Sequence, residues 1–236
     1  MQCVILAGGL GTRMRPLTDE APKALLPVAG APFVEHQLAL VAHQGFDRVV
    51  FCIGHQGAML RDVVGDGARF RLDVAYADEG EHLRGTAGAL RVAFDAALLD
   101  EQFAVLYGDS YLPIDVRPVW TAFEECGAPA LMTVLRNDDR WDASNAAYAE
   151  GRVTRYDKHD PDPTMRYVDY GLSLLARDVV PARVPPGAVV DLADVFHALS
   201  LEGQLAGYEV SQRFYEAGSP TGLADLEAFL AGREKA

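Results

Sequence analysis

Apolar residues fall along this chain in two recurring patterns. Continuous runs at residues 3–7 (CVILA) and 103–107 (FAVLY), and the stretch 47–53 (DRVVFCI), apolar from Val49, have strand length and end at Gly8, Gly108 and Gly54. They predict buried strands, and the alternation over residues 70–77 predicts another. Between them, residues 34–44 (VEHQLALVAHQ) carry helical spacing and stop before Gly45, residues 56–64 predict a short helix, and a further helix opens at about Thr86. Strands alternating with helices predict an α/β fold: a Rossmann-like, mixed and mostly parallel central sheet with helices on both faces. In such sheets ligands collect beyond the carboxyl ends of the strands.

The second half is less regular. Residues 120–126 predict a helix and 130–135 a strand. Residues 146–149 and 152–156 flank Glu150-Gly151, a hairpin turn. Residues 159–164 (HDPDPT) form a proline-broken loop, and 167–175 predict a strand. A helix over 191–200 is capped by Asp191. Residues 208–217 predict a closing strand pair, and 220–230 a last helix with Pro220 in its first turn. No repeat or linker interrupts residues 1–236, which predict one domain.

Composition narrows the function. At 236 residues the chain can bury a large core, yet no apolar run approaches a membrane span. The start, MQCVILAGG, lacks a basic n-region, so the expectation is no signal peptide, no membrane partner and a cytoplasmic protein. Cys3, Cys52 and Cys126 are odd in number and read as reduced thiols. The formal charge of -13 argues against a nucleic-acid partner. An acidic protein that handles phosphates must concentrate cations locally or recruit a metal. Lysine occurs only at 23, 158 and 235, against eighteen arginines.

One stretch offers such a concentration. After the first apolar run, Ala7 leads into Gly8, Gly9 and Gly11, then Thr12, Arg13, Arg15 and Lys23, with Pro16 and Pro22 limiting helix between them. Exposed amides binding oxygens, with cations offsetting their charge, make a phosphate cradle. The bland reading is a glycine turn that only reverses the chain. It is not a dinucleotide fingerprint, because the sixth position counted from Gly9 is Met14, and no Gly-Lys-Ser/Thr P-loop is present.

The spelling GGLGTRMRPLT, then PKALLPVAGAPFVEHQL, resembles the sugar-1-phosphate nucleotidyltransferases, whose signature is GGxGTRxxPLT followed by PKxLLPVxxxP. The match runs through some thirty consecutive residues. The resemblance implies the nucleotide-diphospho-sugar transferase fold, with a nucleotide-binding half at 1–115 and a sugar-phosphate-binding half at 116–236. It implies transfer of a nucleotidyl group from an NTP to a sugar 1-phosphate with release of pyrophosphate. The pattern is similar to short mannose- and heptose-1-phosphate guanylyltransferases. Uridylyltransferases acting on hexose or muramate phosphates are similar too, a CTP-using phosphocholine relative is further off, and a non-catalytic nucleotide-sensing homologue is the reading from another class.

Such a reaction needs no general base. A phosphate monoester, with its second pKa near 6, is already largely dianionic at neutral pH, and the six histidines show no ligand spacing. Catalysis then consists of positioning and electrostatic stabilisation. Arg13, always charged and bidentate, suits the leaving pyrophosphate; Lys23 suits the α-phosphate, and Arg15 stands behind them. From spacing alone Asp109, in Gly108-Asp109-Ser110, reads equally as a turn residue, but the family places a Mg2+-binding aspartate there. The second Mg2+ ligand implied is Glu216, in Glu216-Ala-Gly-Ser-Pro220, which resembles the family's DIGTP with glutamate for aspartate.

Gly85, Thr86 and Ala87 open a GTAG segment that, by the resemblance, lies against base and ribose, as would the cradle residues. Glu79 would accept hydrogen bonds from guanine or from the cytosine amino group, which leans toward GTP; a solvated acidic loop (Asp78, Glu79, Glu81) is the alternative. On the sugar side, Lys158 matches the family's phosphate-holding lysine. Asp169 and Gly171 fall where relatives carry Asn-Ala-Gly, and Asn145 and Gly108 complete the set. The oligomeric state stays open, a homo-oligomer included.

Overall fold

The computed structural model describes residues 1–138, 140–141 and 143–233, the side chains of Arg13 and Arg233 excepted. In chain order its strands and helices are β1 (Gln2–Leu6), β2 (Pro27–Val28), β3 (Ala31–Pro32), α1 (Phe33–His43), β4 (Arg48–Ile53), α2 (Gly57–Val64), β5 (Asp73–Asp78), α3 (Gly85–Asp95), β6 (Gln102–Tyr107) and β7 (Ser110–Tyr111). There follow α4 (Arg117–Cys126), β8 (Ala130–Arg136), β9 (Ala146–Ala149), β10 (Arg152–Tyr156), β11 (Tyr167–Ala176), α5 (Val179–Arg183), α6 (Leu192–Leu201), β12 (Leu205–Val210), β13 (Tyr215–Glu216) and α7 (Pro220–Arg233).

Among the described residues, nine strands make one sheet in the order β5-β4-β1-β6-β11-β8-β12-β10-β9. It is mixed: β5, β4, β1 and β6 run parallel, as do β8 and β12, whereas β11 lies antiparallel to both β6 and β8. The two-residue period divides each parallel strand between two cores. Cys3 and Ile5 of β1, with Val49, Phe51 and Ile53 of β4, face the layer of α1, α2 and α4. Val4, Val50 and Cys52 face α3, α5 and α6. Both faces of the sheet are therefore covered, which explains why these strands read as unbroken apolar runs.

Several expectations shift. The strand expected from residue 70 begins at Asp73, because Ala68–Phe70 closes a 3-10 turn flanked by left-handed Gly67 and Arg71. The pair expected over 208–217 does not form. β12 instead joins the main sheet beside β8, and β13 pairs with β7, a strand some hundred residues earlier. Helix α5 (VVPAR) was hidden by its brevity and its proline. Cys3 and Cys52 are buried free thiols, and Cys126 is exposed. The hairpin at Glu150-Gly151 and the Asp191 cap form as expected, with the Asp191 side chain accepting from Ala193 N.

Two features aim the sheet at a site. Leu6 is registered with Cys52 and Tyr107, so β1, β4 and β6 end together at one edge. In β11 the register against β8 shifts between Asp169 and Ser173. Such bulges re-aim side chains at sheet rims, and here the bulge carries Asp169 and Gly171. A third, smaller core of Val28, Phe33, Tyr111, Ala217, Leu226 and Leu230 binds the β7–β13 pair to α7 and the start of α1.

Candidate active site

Beyond the ends of β1, β4 and β6 lies an open cleft of about 230 Å³. Its walls include Ala7, Gly8 and Gly9 from the first loop, Glu79, Leu83, Gly85 and Thr86 from the second, and Tyr107, Gly108 and Asp109 from the end of β6. Lys23 closes it on one side. Stretches far apart in sequence meet here because parallel strands deliver their carboxyl ends to the same edge.

Gly8 packs closely against the second loop. A Cβ there would lie 2.7 Å from Glu79 Oε1 and 3.4 Å from Gly54 N. Glu79 is half-buried, and its Oε2 accepts from Arg84 N at 2.7 Å. Burial raises its carboxyl above the usual range, against the opposing pull of the Arg84 N–H and charge. Its other oxygen faces the glycine loop, available to a donor in the cleft.

At the floor Lys23 Nζ donates to Asp109 Oδ2 at 2.5 Å. Glu216 arrives from the other end of the chain, held in register with Ser110 by the β7–β13 ladder, while Ala217 N donates to Asp109 O at 2.8 Å. All three charged groups converge at Gly218: a Cβ there would lie 2.5 Å from Glu216 Oε2, 2.7 Å from Asp109 Oδ2 and 3.0 Å from Lys23 Nζ. The Glu216 carboxylate folds back on its own turn, accepting from Ser219 Oγ at 2.5 Å and from Gly218 N.

Two carboxylates against one ammonium leave a local negative charge and hard oxygen donors. That donor set fits Mg2+, which commonly takes one or two carboxylates and completes its shell with water and phosphate. Among the described residues no third His, Cys, Asp or Glu joins them. Arg13 lies in the 3-10 turn Thr12–Met14; its side chain is outside what is described.

Tyr107 links this floor to the sugar-side candidates. It is pushed well above the usual phenol range by burial, then by the charges of Asp169, Asp191 and Asp109. A Cβ on Gly171 would lie 3.7 Å from the Tyr107 ring and 3.4 Å from Ser110 Oγ. Burial pushes the Asp169 carboxyl up to about 6, opposed by the Gly171 N–H, the Lys158 ammonium and the Tyr156 hydroxyl. Asn145, Lys158, Asp169 and Gly171 thus form a second cluster beside the cleft.

Some sequence-derived candidates take other work. Ala87 is 1% exposed, lies behind the cleft wall, and spends its N–H on Val190 O at 3.0 Å. The Thr86 hydroxyl is engaged by Asp191 Oδ1 at 2.9 Å and by Leu192 N at 2.7 Å, so it anchors the second loop to α6. Gly11 and Thr12 are off the cleft wall, with Gly11 O receiving the Thr18 hydroxyl at 2.9 Å. Asn145 Oδ1 accepts from Asp169 N at 2.9 Å, and Asp169 Oδ1 from Gly171 N at 2.9 Å, so both spend capacity on shaping the bulge. Sequence reading passed over Tyr107 and Gly218. The second was legible as the glycine of the DIGTP-like stretch.

Known proteins share this sequence pattern and fold. The family described as "Nucleotidyl transferase" matches residues 2–148. The chain is 31% identical over 240 residues to a mannose-1-phosphate guanylyltransferase of Mycobacterium tuberculosis, an alignment covering 98% of this chain and 66% of that protein. It is 38% identical over 115 residues to an N-acetylmuramate alpha-1-phosphate uridylyltransferase of Neisseria meningitidis, covering 49% of each. This chain therefore spans two thirds or less of the length of these curated relatives. Its fold is shared with HddC from Yersinia pseudotuberculosis, at TM-score 0.79 and 19% identity over 97% of this chain and 99% of that one. On the family match and the fold together, the chain belongs to the nucleotidyl transferase family.

Proposed function

We propose that the protein transfers a nucleotidyl group from an NTP, with GTP favoured, to a sugar 1-phosphate. One observation carries this reading: Lys23 and Asp109, which line the cleft with the Gly8-Gly9 loop, meet Glu216 at Gly218, just off the cleft wall. A phosphate oxygen of the sugar attacks the α-phosphorus, a new P–O bond forms, and the bond from α-phosphorus to the bridging oxygen breaks to release pyrophosphate. The nucleophile is already anionic, so the protein's task is to hold anions together and stabilise the leaving group.

Lys23 serves as the point charge at the α-phosphate, and Arg13 as the bidentate partner of the pyrophosphate. The Gly8-Gly9 amides cradle phosphate oxygens, Gly85 and Glu79 face the base, and Lys158 with Asp169, Asn145 and Gly171 serves the sugar phosphate. Residues 1–115 thus carry the nucleotide side and 116–236 the sugar side, with Glu216 crossing over. Asp109 and Glu216 would hold Mg2+, which supplies charge neutralisation at the phosphate oxygens when bound. The cytoplasm is the compartment proposed for this reaction. Among the described residues no helix is long and apolar enough to cross a membrane.

The base assignment rests on Glu79, whose free oxygen suits guanine N1–H and N2–H2, and on the guanylyltransferase relative aligned along 98% of this chain. Pyrophosphate release from each of the four NTPs and dTTP against a panel of sugar 1-phosphates tests both points. GTP with one sugar phosphate should dominate. Preference for UTP would move the reading to a uridylyltransferase, and no release from any pair would overturn catalysis.

A further inference from the structure

The loop that presents Asp109 is gripped from behind by a residue that never reaches the cleft. Gln37, on α1, is 1% exposed. Its Nε2 donates to Tyr107 O at 3.0 Å and to Ser110 O at 2.9 Å, the carbonyls flanking Gly108-Asp109. Both partners are acceptors, so only the NH2 end of the amide can face them. Its Oε1 has no hydrogen-bond partner among the described residues, so the donor end alone fixes the contact.

Two further backbone groups of the loop are engaged. Gly108 N donates to Leu6 O at 2.9 Å, and Asp109 O receives Ala217 N. Ser110 is the residue registered with Glu216 in the β7–β13 ladder. A single buried amide therefore touches the strand end from which Asp109 emerges and the strand against which Glu216 is aligned. Gln44, two turns along α1, accepts from Val116 N at 3.1 Å and so grips the same segment beyond the carboxylates.

We propose that Gln37 is a positioning residue for the Asp109–Glu216 pair, setting the separation at which the two carboxylates share a divalent cation. This rests on the reading of those carboxylates as metal ligands. Gln37 touches no substrate and acts through the Tyr107 and Ser110 carbonyls. Groups bonded directly to a metal ligand commonly carry about 10–100-fold in metal affinity, and Gln37, bonded to the flanking carbonyls, belongs at the lower end of that range.

The test is Mn2+ titration, alone and with GTP, followed by electron paramagnetic resonance of free Mn2+, on wild type, Gln37→Met and Gln44→Met. Gln37→Met should raise the half-saturating Mn2+ concentration about tenfold. Gln44→Met should lower the melting temperature comparably and leave half-saturation within about twofold, an expectation that follows from its distance along the segment. If Gln37→Met does not fold, Gln37→His, which keeps one ring N–H donor, replaces it and should show a smaller rise. Unchanged Mn2+ binding in the folded Gln37 variant, or no Mn2+ binding by wild type, overturns the proposal. Mn2+ binding weakened by Gln37→Met in a protein that releases no pyrophosphate would support positioning while overturning the reaction proposed above.

Discussion

Lys23 Nζ donates a 2.5 Å hydrogen bond to Asp109 Oδ2 across 86 positions of sequence, and both side chains keep only about a fifth of their exposure. The contact joins the first loop to the end of β6 at the floor of the cleft. If Lys23 offsets phosphate charge and Asp109 holds the metal, Lys23→Ala and Asp109→Asn should each lower kcat roughly a hundredfold or more, the usual cost of one lost electrostatic stabiliser. Steady-state pyrophosphate release measures this. Near wild-type turnover in either variant removes that residue from the machinery.

Three charged groups meet at the position a Cβ on Gly218 would take. Gly218→Ala places a methyl 2.5 Å from Glu216 Oε2 and 2.7 Å from Asp109 Oδ2, which must part to admit it. Displacements of this order cost on the order of a hundredfold in rate. Circular dichroism should stay native while kcat falls. An active Gly218→Ala enzyme would show that the two carboxylates need not stay close.

If Glu79 reads the base, its substitution should discriminate between nucleotides. Glu79→Gln keeps an acceptor for Arg84 N but replaces the carboxylate facing Gly8. The kcat/KM for GTP should fall tenfold or more and that for UTP should change little, because only guanine offers the paired donors. Equal losses for both nucleotides would make Glu79 a residue that merely shapes the loop.

Asp169 gives a pH dependence whose sign is fixed. Its folded carboxyl sits at about 6 against 3.8 ordinarily, with burial as the main cause. Between those values the native state binds more protons than the unfolded chain, so stability falls as pH rises through the window and stays lower above it. Asp169→Asn lacks this penalty. Relative to wild type it should gain on the order of 2 kcal/mol as pH rises from about 4 to about 7, read by urea denaturation. A difference independent of pH would contradict the burial argument. Comparing the pair cancels Asp47, Asp115, Asp157, Asp162 and Glu202, whose carboxyls are held low by their own partners.

Local signals made much of this architecture legible. Strands buried on both faces announce themselves as apolar runs, so β1, β4 and β6 were readable, and Glu150-Gly151 marked its hairpin. The Gly8-Gly9 loop and Lys23 followed from their spelling. Long-range pairing was not readable. Nothing in Tyr215-Glu216 names Ser110-Tyr111 as its partner, since a two-residue strand has no period and its place is set by the third core around Phe33, Tyr111 and Leu226. The hydroxyl of Thr86 could not be assigned to Asp191 without the approach of the α6 N-terminus. The bulge that aims Asp169 depends on β8 and β11 already lying side by side.

The central claim, that triphosphate lies in the Gly8-Gly9 cleft with a divalent ion between carboxylates from distant parts of the chain, is tested most directly by anomalous diffraction. Crystals grown with Mn2+ and a non-hydrolysable GTP analogue should show the manganese peak between Asp109 and Glu216, with the phosphates against Gly8 and Gly9. A peak touching neither carboxylate, or a nucleotide bound elsewhere on the sheet, would contradict it.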